Sequence, residues 1–200
     1  MKEQVDEISV PLKNEKATFT RFRLEFIEVP DQLLDSMLKY NAQIIHFCGL
    51  GSENTDETEH LPEPLSMIFQ TLGNDIRCVL MIGCHSDVQA KALAQFVDCV
   101  VGLPRGISPK AAIDVATSFY LALATEKNID VAVRSSKVKL VISHHLPEDS
   151  ITLVTREGKN PSEISFPIKK VITSMSDLSK SGVYVVAKLD KSSLGNPGGM

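Results

Sequence analysis

The stretch His46-Phe47-Cys48-Gly49-Leu50-Gly51-Ser52, with its downstream counterpart Ile82-Gly83-Cys84-His85-Ser86, decides the fold of this chain. Each piece closes a short, continuous apolar run on small residues. Such a run, with no polar alternation, predicts a strand buried on both faces, as in parallel sheets. Residues 42–48 and 77–82 read as two of these strands, and residues 97–101, closed by Gly102, as a third. Open sheets of this kind gather their chemistry at the carboxyl ends of the strands. Leu50 and Cys84 fall just past two such ends and are expected to lie close together, with Cys84 at the opening of a helix.

The flanking segments fit the same layout. Residues 19–29 alternate, with Phe22, Leu24 and Phe26 on one parity and Arg21, Arg23 and Glu25 on the other, which predicts a half-buried strand. Pro30 and Asp31 open a helix with Leu33, Leu34, Met37 and Leu38 at helical spacing. Residues 52–64 are polar and acidic, a long loop, and residues 64–72 a short helix. Ser86 with Gln89 forms a capping box for a helix running to about Phe96. Ser108 caps, and Pro109 begins, a long helix with the stripe Ala112, Val115, Ala116, Phe119 and Leu123. A further helix over 130–141 and strands over 150–156 and 182–190 complete the reading. Short buried strands alternating with helices predict an α/β fold with helices on both faces of the sheet.

Composition narrows the class. Two hundred residues, 43% hydrophobic and 23% charged, suit one globular domain. A formal net charge of -4 gives no electrostatic reason to expect nucleic acid or an anionic membrane as partner. No apolar run has the length of a membrane span, and the charged residues 1–7 carry no leader-type apolar core. Cys48, Cys78, Cys84 and Cys99 lack paired spacing and read as reduced thiols of a cytoplasmic protein. Residues 191–200, rich in Gly, Ser and Pro, are expected to form a flexible tail after a single domain over 1–190.

Taken in order, the motifs resemble the CHAT domain, a caspase-like cysteine peptidase family often found with helical repeats in bacteria. Its strand ending in His-Phe-Ser-Gly-His-Gly corresponds to His46-Phe47-Cys48-Gly49-Leu50-Gly51, and its Asn-Ala-Cys-x-Ser turn to Ile82-Gly83-Cys84-His85-Ser86. Val100-Val101-Gly102, Ala111-Ala112-Ile113 and Phe119-Tyr120-Leu121-Ala122-Leu123 follow in the family's order. The likeness covers about residues 30–165. It implies a caspase-like three-layer α/β/α fold with a mostly parallel central sheet. It also implies Cys84 as nucleophile, Gly51 and Cys84 as oxyanion N–H donors, Ile82 and Gly83 as pocket positions, and Leu50 in the place of the catalytic histidine.

Leu50 changes what the site is expected to do. A thiol before a helix N-terminus gains some thiolate character, but a paired histidine supplies most of the activation and returns the proton to the leaving amine. That acid–base help is worth roughly 10²–10⁴-fold, and leucine supplies none of it. His46, four residues before Leu50 and so about 13 Å away along a strand, is expected to be a core histidine. His85 adjoins Cys84 but should point elsewhere, His60 lies on the acidic loop, and His144 and His145 read as a solvated turn. His46, Cys48, Cys84 and His85 lack metal-ligand spacing, so neither metal nor cofactor is expected. The expectation is therefore a pseudoprotease acting as a binding or regulatory module. Its partner would be a protein or peptide, such as an active CHAT relative or a helical-repeat protein. The alternatives are an active cysteine endopeptidase with a non-standard base, and a thiol sensor or non-peptidase enzyme built on Cys84.

The resemblance raises one topological question. A caspase-like domain begins with a central strand and crossover helix ahead of the strand placed here at 19–29, and about eighteen residues are too few for both. The late strand near 183–189 is expected to fill the vacant slot. The alternatives are pairing by residues 8–12, or a shortened product leaning on a partner.

Overall fold

The continuous apolar runs fold as parallel neighbours in one sheet. The computed structural model describes residues 30–40, 42–48, 63–85, 87–104, 106–125, 127–166 and 183–187. In chain order these form α1 (Pro30–Tyr40), β1 (Ala42–Cys48), α2 (Glu63–Leu72), β2 (Cys78–His85), α3 (Asp87–Leu93), β3 (Cys99–Pro104), α4 (Pro109–Ala124), α5 (Ile129–His144), β4 (Thr152–Thr155) and β5 (Val183–Ala187). The sheet order is β4-β3-β2-β1-β5. All pairings are parallel except β3 with β4. In register, His46 faces Leu80 and Cys48 faces Ile82, while Cys78 faces Cys99 on the other side of β2.

Because successive strand residues point to opposite faces, each apolar run feeds two cores. Ile44, Cys78, Leu80, Ile82, Cys99, Val101 and Leu103 pack against α4 and α5. Ile45, Phe47, Val79, Met81 and Val100 pack against α1, α2 and α3. The result is the three-layer α/β/α arrangement with a mostly parallel sheet. Helix starts follow capping chemistry: the Ser108 hydroxyl accepts from the Ala111 N–H, with Pro109 at the first position of α4. Asn128 Oδ1 likewise accepts from the Val131 N–H at the start of α5, while its amide donates to the Ser162 carbonyl. Among the described residues no helix is long and apolar enough to cross a membrane.

Several boundaries differ from the sequence reading. The second strand runs on through Gly83 and Cys84 to His85, with a register irregularity against β3 between Ile82 and His85. The third begins at Cys99, after Asp98 is drawn into an ion cluster, and Gly102 does not close it but pairs with Met81 and Thr152 inside it. Helix α3 stops at Leu93, where the N–H groups of Phe96 and Val97 both turn back to the Leu93 carbonyl. Helix α5 extends through His144, ended by His145 in a left-handed conformation (φ 53°) with its N–H on the Val141 carbonyl. His144 is thus helical, and Nε2 lies 2.8 Å from Asp114 Oδ2 on α4, instead of sitting in a solvated turn. Strand β5 pairs with β1, on the side away from β2. The strand expected over 19–29, the segment 8–12, the loop 52–62, the Ser86 cap and the tail 191–200 lie outside the described residues.

Candidate active site

Cys84 belongs to the body of β2, two residues beyond Ile82, where the described pairing with β1 ends at Cys48. It stands three residues before the first residue of α3, rather than at the helix opening itself. Gly83 precedes it in the same strand. Leu50 and Gly51, which the resemblance places at the vacated histidine and the oxyanion hole, lie outside the described residues, as does His60. Ile82, assigned to a pocket, is 6% exposed and packs in the core shared with α4 and α5.

The histidine that β1 does carry is withdrawn from this region. His46 is 1% exposed, and its Nδ1 lies 3.2 Å from the Tyr120 hydroxyl of α4. The rings sit 5.9 Å apart, and Phe119 meets Tyr120 edge-on. Burial pushes the His46 pKa down from 6.5 to about 3, because a charged imidazole loses its hydration there. His46 faces Leu80 across the sheet, and Cys84 lies four residues further along β2. At about 3.3 Å per residue that is a separation of about 13 Å, far beyond proton-transfer reach. His46 is therefore a neutral core histidine and no base for the thiol.

The opposite end of the sheet holds a second polar constellation, which the sequence reading did not single out. Cys78 pairs with Cys99, so the residues just before them, Arg77 and Asp98, come side by side at the strand entrances. Asp98, 8% exposed, lies 3.3 Å from Arg77 Nε, 2.8 Å from Arg156 Nη2 and 3.0 Å from Lys159 Nζ. Burial by itself raises the Asp98 pKa. The hydrogen bonds from Lys159 and Arg77, with the charges of Lys159 and Arg156, outweigh it and hold the carboxyl below its ordinary range. The sequence signal was an aspartate inside an apolar run, Val97-Asp98-Cys99-Val100, with an arginine heading the preceding strand. Tyr120 carried a comparable signal, a polar tip on an apolar helical stripe.

Cys78 and Cys99 are free thiols, both fully buried. Burial, followed by the neighbouring Cys99, pushes the Cys78 thiol up and disfavours its thiolate. Among the described residues no three His, Cys, Asp or Glu side chains group as a metal-ligand set. The arrangement places Cys84 on strand β2 of the parallel sheet. The imidazole of the neighbouring strand is committed to the core. No protein-family model matches the chain, and no curated protein matches it.

Proposed function

We propose that this chain is a CHAT-like, caspase-fold pseudoprotease: a cysteine peptidase relative whose hydrolytic chemistry is impaired and which acts as a binding or regulatory module. The observation that carries the reading is the burial of His46 against Tyr120, about 13 Å along the sheet from Cys84. With Leu50 at the position where the family has its second histidine, the base that would activate the thiol is missing. A protein or peptide partner, such as an active relative or a helical-repeat protein, and residence in the cytoplasm belong to the same reading. The free thiols Cys78 and Cys99 are consistent with that compartment.

The test compares wild type, Cys84→Ala and Leu50→His against a peptide substrate library, with a thiol-reactive peptide probe read by intact mass. Wild type is expected to hydrolyse no faster than Cys84→Ala and to resist the probe. Leu50→His is expected to gain roughly 10²-fold or more, the scale of restored acid–base help. Cleavage by wild type that Cys84→Ala abolishes would overturn the proposal in favour of an active peptidase. Selective probe labelling of Cys84 without hydrolysis would overturn it in favour of a thiol sensor.

A further inference from the structure

The outer face of α5 carries side chains that neither the helix nor the core requires. Val138, Val141 and Ile142 are 56%, 42% and 69% exposed. Of the six large apolar side chains exposed among the described residues, these three share one element, while Leu38, Met67 and Val88 stand singly on α1, α2 and α3. Scattered apolar residues are ordinary on a protein surface, whereas a contiguous group marks a contact. β-Branched residues are also weaker helix formers than lysine, glutamine or glutamate. At these positions they weaken α5 and bury little within this chain.

Their spacing is that of a helix-docking seam. Val138, Val141 and Ile142 stand at i, i+3 and i+4, and half-buried Val131 lies two turns before Val138 on the same line. The buried side of α5, which includes Ile129, Ser136 and Leu140, faces the opposite way. Lysines stand between the two sides. At about 100° per residue, Lys137 lies roughly 100° to one side of Val138 and Lys139 roughly 100° to the other. Lys139 keeps 40% of its side chain exposed even with Asp114 3.9 Å away. Within α5 no acidic residue occurs from Arg134 to His144; Asp130 is paired with Arg134, and Glu148 and Asp149 come after the helix, in the short turn at 148–150.

An apolar seam with cations on both flanks is matched by a helix whose apolar seam has carboxylates on both flanks, the rule that sets partner choice beside coiled-coil seams. A second copy of α5 brings lysine toward lysine whether the two helices run parallel or antiparallel. We infer that the outer face of α5 is a docking surface for an acidic amphipathic helix of a partner protein, seated along Val138, Val141 and Ile142 with its carboxylates on Lys137 and Lys139. Docking here needs nothing of Cys84, and an active peptidase would carry the surface as readily as an inactive one.

The experiment titrates the full chain with a synthetic helical peptide whose leucine seam is flanked by glutamates, and with the same peptide flanked by lysines, reading binding by fluorescence anisotropy. The glutamate-flanked peptide is expected to bind about ten-fold more tightly than the lysine-flanked one. Val138→Gln with Ile142→Gln, which leaves the buried side of α5 intact, is expected to weaken binding about ten-fold. Lys137→Glu with Lys139→Glu is expected to reverse the preference between the two peptides, with circular dichroism and urea midpoints establishing that both variants fold. Failure of the wild type to bind the glutamate-flanked peptide overturns the inference, as does binding that neither double substitution alters. Sedimentation of the chain alone, and with vesicles of phosphatidylserine and phosphatidylcholine, addresses the other occupants. A dimer, or vesicle binding, that Val138→Gln with Ile142→Gln abolishes would give the face to a second copy or to a lipid surface and overturn the inference.

Discussion

The Tyr120 hydroxyl lies 3.2 Å from His46 Nδ1, joining the middle of α4 to the middle of β1 inside the core. Both residues are almost fully buried, so each polar tip depends on protein partners in place of bulk water. Removing one tip takes a buried partner from the other, and the loss exceeds the net value of the bond itself. Tyr120→Phe keeps the ring and its edge-on packing with Phe119. It is expected to lose about 1–3 kcal/mol in urea unfolding with an unchanged m-value.

The same burial sets a pH dependence. Folded His46 titrates at about 3, whereas the unfolded chain returns it to its ordinary 6.5. Between those values the unfolded chain binds a proton that the folded chain does not, so stability falls as pH drops below 6.5. The limiting slope for one such group is about 1.4 kcal/mol per pH unit. Asp98 acts in the same direction at lower pH: its depressed carboxyl stabilises the fold above the ordinary aspartate value, and that contribution is lost as pH falls through the folded one. Urea melts from pH 7 to pH 4.5 are expected to show the decline in wild type and a shallower one in His46→Gln, which has no imidazole to titrate.

These two groups also mark where the sequence was legible and where it was not. The apolar runs at 42–48 and 77–82 revealed strands, parallel pairing and burial on both faces, because period and composition are local properties. His46 was legible as a core residue because its place within an apolar strand leaves few alternatives. The partner Tyr120 was not, since which residue of a helical stripe meets which strand position depends on how the helix sits on the sheet. Asp98 failed for the same reason: its three cations come from Arg77, Arg156 and Lys159, and only sheet order and loop path bring them together. Strand ends were misplaced at Gly102 because the β2 pairing carries β3 on through Leu103 and Pro104, past a residue that would otherwise mark a stop.

Asp98→Asn keeps the shape of that cluster and removes its charge. Three cations then face one another around a neutral amide, and the Arg77 guanidinium stays fixed by the Ser165 carbonyl and the Phe166 ring. Because Arg77, Arg156 and Lys159 keep partial exposure, water moderates the cost, and a loss of about 1–3 kcal/mol is expected. Raising ionic strength from 0.02 to about 0.5 M screens the unbalanced cations and should recover part of the loss in the variant only, as read from paired thermal melts.

Gly73 sits in the turn between α2 and β2 where the chain passes close to Phe96. A β-carbon at Gly73 would meet Phe96 Cβ at 2.8 Å and the Phe96 carbonyl oxygen at 3.1 Å. Neither atom is the free end of a flexible side chain, so the turn itself has to move. Gly73→Ala is therefore expected to destabilise by about 1–3 kcal/mol, despite the entropy that alanine removes from the unfolded chain. Gly158→Ala gives a contrast: nothing lies near its would-be β-carbon, so its penalty comes only from a positive φ of 77°. Chemical denaturation of the two variants side by side separates crowding from backbone strain.

The buried thiols are an internal standard for Cys84. Cys78 and Cys99 face each other across β2 and β3 with no exposed surface, and burial keeps Cys78 protonated. A thiolate is the reactive form, so alkylation of these two requires opening of the central strands. Intact-mass labelling with iodoacetamide at pH 7.5, followed by peptide mapping, should leave both unmodified in the native protein and modify both in 6 M guanidinium. Labelling of Cys78 and Cys99 under native conditions, at the rate of a free thiol, would show that β2 and β3 do not form the closed centre of this sheet. Any conclusion drawn from the reactivity of Cys84 would then lose its scaffold.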